Sequence, residues 1–325
     1  VSYATNIAFG PSATARVAAA VLPLVFRIAD ARADINTTIP AGGANLLYIA
    51  WADGVVEADF TSASINHTFT GTTQKFFGFA PLGPTPNWES ITSIPLPNKG
   101  LVGSLNAEIA KMVNLTILNL NSNSLEGPLP ADFYKLLNLE RLELGGNSLS
   151  VGAISADIGD LVNLEYLGFQ FCGVTDTLPP EIFTLTTLTE LHLNGNSITD
   201  TLSVNIKNLV NLTTLSLGFN NFSGTIPLEI QQLPLLENLN IPANGFNNYL
   251  TGTLSGLAAL KAVDFNQNSL TQANVDAVLA DLVSSLSLPG RVKAAVGLVA
   301  NAAPSATGAT DAATLRSAGW TVTHT

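Results

Sequence analysis

The pattern L-x-x-L-x-L-x-x-N-x-L occurs seven times, starting at Leu115, Leu139, Leu164, Leu188, Leu212, Leu236 and Leu260, at spacings of 24 or 25 residues. A fixed period in this range constrains the chain to a stacked solenoid, because one unit cannot bury its own apolar face and the next must cover it. In Leu139-Glu-Arg-Leu142-Glu-Leu144 the last two leucines lie two apart. Both therefore leave one face of a short strand, while Arg141 and Glu143 leave the other. Stacking predicts a parallel sheet stepping about 4.8 Å per unit, apolar side chains inward and variable ones outward.

The column three residues after the second strand leucine reads Asn123, Asn147, Cys172, Asn196, Asn220, Asn244 and Asn268. A buried amide there can bond the backbone of the turns on either side, as buried polar groups require. The return halves are equally regular, as in Gly127-Pro-Leu129-Pro, Gly152-Ala-Ile154-Ser and Gly224-Thr-Ile226-Pro. This wording resembles leucine-rich repeats, which accept Asn or Cys in that column, and the return halves resemble the G-x-I-P stretch of plant receptor repeats. The resemblance implies a leucine-rich repeat solenoid: an α/β-type horseshoe or curved right-handed coil with a parallel sheet on one face. It also implies contact with other macromolecules through an extended face. Cys172 is the only cysteine, so a disulfide within the chain is impossible, and its place in the column makes it a structural thiol rather than a nucleophile or metal ligand. Ile91 to Leu101, placed 24 residues before Leu115, reads as a degenerate first unit with Lys99 where Asn is expected.

Hydrophobic residues make up 46% of the chain, ample for a core, and no apolar run is long enough to span a membrane. The net charge of −11 with 11% charged residues argues against nucleic acid as a partner, which needs a basic footprint. Val17 to Phe26 with Ala29-Asp-Ala31 imitates a secretory signal, but reads as structure. Val1 is small enough for an initiator Met to have been trimmed, giving a natural start without an export signal; a signal cleaved upstream would leave the same sequence. Sequons stand at Asn36, Asn66, Asn114, Asn211 and Asn221, two of them in the Asn-Leu-Thr wording of the repeat.

Four segments are expected. Residues 1–24 carry no interpretable motif and read as a docking arm, an extra strand or a contact to a neighbouring subunit. In 25–90, Trp51-Ala-Asp53-Gly54 is a strand entering a turn, followed by Ile65-Asn-His67-Thr-Phe69 and Lys75-Phe-Phe-Gly-Phe79. This resembles PKD-like β-sandwich modules, whose W-G-D-G turn precedes H-T-Y; Ala52 and Phe69 are the departures. The resemblance makes His67 structural rather than catalytic. Residues 91–272 hold the repeats. In 273–325, Val275, Val278, Leu279 and Leu282 have helical spacing and would close the open end of the stack. Thr310 to Gly319 then reads as a second helix and Trp320-Thr-Val322-Thr as a final strand. The ending from Asn301 to Val322 is similar to the terminal cap of leucine-rich repeat proteins of bacteria and their phages, and the paired cysteines of plant receptor caps are absent.

No phosphate-binding, zinc-protease, nucleophile-elbow or C-x-x-C motif occurs, so no catalytic residue, metal site or cofactor is expected. The candidate binding face lies on the outward side of the sheet, where Arg141, Tyr166, Phe171, Glu190, His192 and Phe219 fall across units two to five. Exposed aromatics beside an arginine are common interface anchors. The plainer reading is a set of solvated residues with the phenylalanines packed along one edge. Glu190 and His192 as a metal or acid–base pair lack a third group close by.

The expected function is a non-enzymatic surface protein recognising a macromolecule, protein or glycan, on a host or neighbouring cell. Within that class the preferred reading is a bacteriophage virion component, a fibre or capsid decoration, packed with other virion subunits as a homo-oligomer. Alternatives are an exported bacterial adhesin, a structural projection without ligand, and a depolymerase, which would need a convergent carboxylate pair.

Overall fold

The computed structural model describes residue 89 and residues 91–98, 101–105, 107–288 and 293–324, together with the backbone of six strands between 24 and 81. It divides into two compact units, residues 1–150 and 151–325. Of the segment 1–24 read as a docking arm, all but Leu24 lies outside the described residues, as do Lys99 and the side chains of Trp51 and His67.

In the first unit the repeat strands Ser93–Pro95, Ile117–Asn119 and Arg141–Glu143 run parallel and in register. Ile91 to Leu96 thus supplies a repeat strand, as its spacing suggested. Leu101–Gly103, Ser124–Gly127 and Ser148–Leu149 pair along a second edge, also parallel. Leu24–Ile28 adds antiparallel to Leu101–Gly103 and, on its other side, to Lys75–Pro81. Leu47–Trp51 joins Lys75–Pro81 and Val56–Glu57, and Ile35–Ile39 pairs with Ala63–His67, all antiparallel.

In the second unit the sheet comprises Tyr166–Gly168, Glu190–His192, Thr214–Ser216, Asn238–Asn240, Ala262–Asp264, Ala295–Gly297 and Thr321–Thr323, all parallel and unshifted. The middle residue of each strand points inward, and Leu167, Leu191, Leu215, Leu239, Val263 and Val296 are buried. Short 3-10 turns form the return legs and bury one apolar residue each at Ile158, Ile206 and Ile230. Ser155 and Ser203 cap two of these turns through their hydroxyls, bonding the N–H of Asp157 and Asn205.

The asparagines act as rungs between units. Asn220 Nδ2 donates to the carbonyls of Leu193 and Leu217 at 2.9 and 3.0 Å, and its Oδ1 accepts from Ile198 N–H at 3.1 Å. Asn123 and Asn147 repeat this in the first unit, Asn196, Asn244 and Asn268 in the second. Buried Cys172 fills its rung with a thiol, its Sγ 3.5 Å from the Gln170 carbonyl. The column continues past the seven positions to Asn301, which bonds the Phe265 and Leu298 carbonyls and the Leu270 N–H. The Asn-Leu-Thr wording is also structural: Asn211 Nδ2 donates to the Thr186 carbonyl at 2.8 Å and Thr213 Oγ1 to that of Thr189 at 3.0 Å.

Helix α1, Gln272–Ser284, buries Val275, Val278, Leu279 and Leu282, the face expected from their spacing. A capping box between Thr271 and Asn274 starts it. It does not close the end of the stack, because two strands follow it; it is the return leg of a lengthened unit. Helix α2, Ala306–Ser317, starts four residues before the expected Thr310, because Ser305 caps it by accepting from Gly308 N–H at 3.3 Å. Gly319, at φ 88°, turns the chain into the last strand.

Candidate recognition face

The outward face of the second unit's sheet carries the polar candidates. Tyr166 and Glu190 are register partners, as are Gly168 and His192. With no side chain at Gly168, the His192 ring lies beside Tyr166, centroids 5.0 Å apart and planes 27° off parallel. His192 Nε2 is 2.9 Å from Glu190 Oε2, on the same strand and two residues away. Tyr166, Glu190 and His192 thus form one connected group, with two flat rings partly exposed to solvent.

Phe171 and Phe219 stand at the sheet edge, just before the rung column. They are 56% and 57% exposed and held at φ 54° and 57°. Their left-handed backbone is shared by Gly195, Ala243, Gln267 and Ala300 at the same place in other units. The turn therefore imposes the geometry, at about 1–2 kcal/mol for a residue with a Cβ. The exposed rings are the local choice. The Phe171 ring packs against Gly195, where an added Cβ would fall 2.1 Å from a ring carbon.

Arg141 belongs to the first unit. Its Nε donates to Glu143 Oε1, which also accepts from Asn119 Nδ2 at 2.9 Å. Arg141 is thus bonded to a buried carboxylate on its own strand. Among the described residues no three His, Cys, Asp or Glu side chains gather as a metal site, and no helix is long and apolar enough to cross a membrane.

A hollow of about 290 Å³ opens on the sheet face further along the second unit, lined by Asn240, Asp264, Asn266, Ala295, Gly297 and Thr321 among others. The repeat pattern places Asp264 outward but gives no hint of the hollow, since Ala295–Gly297 stands after a long insertion. The wording Val296-Gly-Leu298-Val-Ala-Asn301 was the available clue, a shortened copy of the repeat.

The comparisons with known proteins agree with this geometry. The family profile described as Leucine Rich Repeat matches residues 114–136, 187–209 and 211–233. The fold is a leucine-rich repeat solenoid. Similar solved structures include the plant peptide hormone receptor RGFR1 in complex with RGF2, at 24% identity and TM-score 0.59, covering 65% of this chain and 32% of that one. The ectodomain of the Arabidopsis receptor kinase HAESA, in complex with a peptide hormone ligand, is 28% identical with TM-score 0.57, over 65% of this chain and 34% of that one. A leucine-rich repeat protein of Leptospira interrogans is 28% identical with TM-score 0.55, over 69% of this chain and 53% of that one. The chain thus spans about a third of the plant receptor chains and about half of the bacterial one. Among curated proteins, nothing is significantly similar in sequence. Solenoids of leucine-rich repeats are recognition scaffolds for other proteins as a rule.

Proposed function

We propose that this is a non-enzymatic recognition protein that binds a protein partner on the outward face of its repeat sheet. The observation that carries the reading is the pair of phenylalanines, more than half exposed, beside the ordered Tyr166–His192–Glu190 group. Large rings held on a rigid sheet lose little entropy on binding, which makes them effective anchors. The peptide-bound receptors of the same fold support it by analogy. A photo-crosslinking residue at 219 should capture the partner in its native setting, and the same residue at Lys207, on a return leg, should not. Equal capture at both positions would sink the assignment of the face.

The finer reading is a bacteriophage virion surface component that forms a homo-oligomer with other virion subunits and includes a PKD-like module at 25–90; the ending from Asn301 to Val322 supports it. A second reading, an exported bacterial adhesin meeting a protein or glycan on another cell, is favoured by the likeness to the Leptospira protein. Electron microscopy of native material labelled with antibody separates them: regular copies on a particle support the first, label on a cell envelope the second.

A further inference from the structure

The hollow beyond the aromatic group has a chemistry of its own. Its floor is formed by the outward positions of Ala262–Asp264, Ala295–Gly297 and Thr321–Thr323, where short side chains leave a depression in the sheet face. Gly297 keeps that floor open. A Cβ there would come within 2.6 Å of Asn266 Nδ2 and 2.9 Å of Asp264 Oδ1. The Asp264 carboxylate stands at one side with Oδ1 accepting from Asn266 N–H at 3.0 Å, and its other oxygen bonds no group among the described residues. Asn266 is fixed in turn by accepting from Val299 N–H at 2.6 Å. No lysine or arginine occupies an outward position on any strand of this unit's sheet, and Lys261, which precedes one strand, is bonded to Glu237 at 2.6 Å. A half-buried carboxylate with no counter-ion among the described residues, set in a hollow between strands that carry no outward lysine or arginine, favours a positive group brought by a ligand.

We propose that this hollow is a subsite for an arginine side chain of an extended peptide segment in the partner, its guanidinium bonded to Asp264. A planar fork fits an open floor bounded by a carboxylate and matches two acceptor oxygens better than a compact ammonium does. The inference rests on the sheet face being the recognition surface, and places a charged specificity pocket beside the aromatic anchors of the same unit.

The test is titration of isotope-labelled full-length protein with N-acetyl-arginine methylamide, followed by NMR, against the citrulline analogue, which has the same shape without the charge. The expected result is perturbation of the Asp264, Asn266, Gly297 and Thr323 amides by the arginine probe, with citrulline about tenfold weaker. Asp264→Asn keeps the acceptor for Asn266 N–H and should weaken the arginine probe about tenfold with an unchanged melting curve. Ala295→Leu should fill the hollow and abolish the effect. Equal binding of both probes, or an unaffected Asp264→Asn, overturns the subsite. Perturbation only around Tyr166 and His192 also overturns it, while leaving the sheet-face reading intact. Failure of crosslinking at 219 bears on that broader reading alone.

Discussion

The Tyr249 hydroxyl donates to Asp281 Oδ2 at 2.5 Å, tying the return strand Gly245–Tyr249 to helix α1 across 32 residues of chain. The same carboxylate accepts from Gly252 N–H at 2.7 Å and Leu254 N–H at 3.4 Å, so one buried acid organises the turn after the strand. Removing the hydroxyl with Tyr249→Phe leaves the carboxylate with backbone donors only. The expected loss is about 1–3 kcal/mol, read as a lower urea midpoint with unchanged slope.

The same pair sets an alkaline limit. Burial first, then the hydrogen bond and charge of Asp281, hold the Tyr249 hydroxyl above the ordinary 10.0. The folded state therefore keeps this proton where the unfolded chain loses it. The contribution is complete below pH 10.0 and declines as pH rises above it. Urea midpoints on either side of that value should fall more steeply for the natural protein than for Tyr249→Phe. Parallel slopes would mean that the hydroxyl does not control the alkaline limit.

Rungs of the ladder are unequal. Asn220→Ala strands two carbonyls and an N–H that are otherwise bonded, and should cost about 3 kcal/mol or more. Cys172→Ala removes weak thiol hydrogen bonding, such as the 3.5 Å contact to the Gln170 carbonyl, and a little volume, and should cost about 1 kcal/mol. Thermal or urea unfolding of the two variants decides the order. A Cys172→Ala variant as unstable as Asn220→Ala would contradict this account of the rungs.

Gly308 sits where α2 begins against α1. A Cβ there would lie 2.0 Å from Asp276 Oδ1, the oxygen that accepts from Ser305 N–H at 2.9 Å at the start of the helix. Gly308→Ala must displace Asp276, so we expect a loss of about 1–3 kcal/mol despite alanine's better helix propensity. An alanine variant as stable as the natural protein would show that the two helices part easily.

Gly195→Ala probes the aromatic edge. The added methyl cannot coexist with the Phe171 ring as placed, and the backbone at φ 71° adds strain. Stability should fall by about 1–2 kcal/mol, and crosslinking from position 171 should change while that from 219 does not. Unchanged behaviour at 171 would show that its ring does not depend on Gly195.

Much of this was legible in the chain. The leucine and asparagine columns specify inward residues and rungs because neighbouring units repeat the same local spacing, and Tyr166, Glu190 and His192 fall on one face by the same rule. Their bonding was not legible: alternation places two side chains on one side, but only the register of Gly168 against His192 lets the rings stack. Nor did Arg141 reveal that its strand neighbour Glu143 would engage it.

The sequence by itself determined the repeat, its period, the sheet and the side of each strand that faces solvent, since these follow from contacts between residues a fixed distance apart. Tertiary structure alone decided the hollow at Asp264, the Tyr249–Asp281 bond and the rung at Asn301. Each depends on where the long insertion carrying α1 returns to the sheet. That return is chosen by packing of the helix against the stack, for which the repeat pattern holds no local spacing.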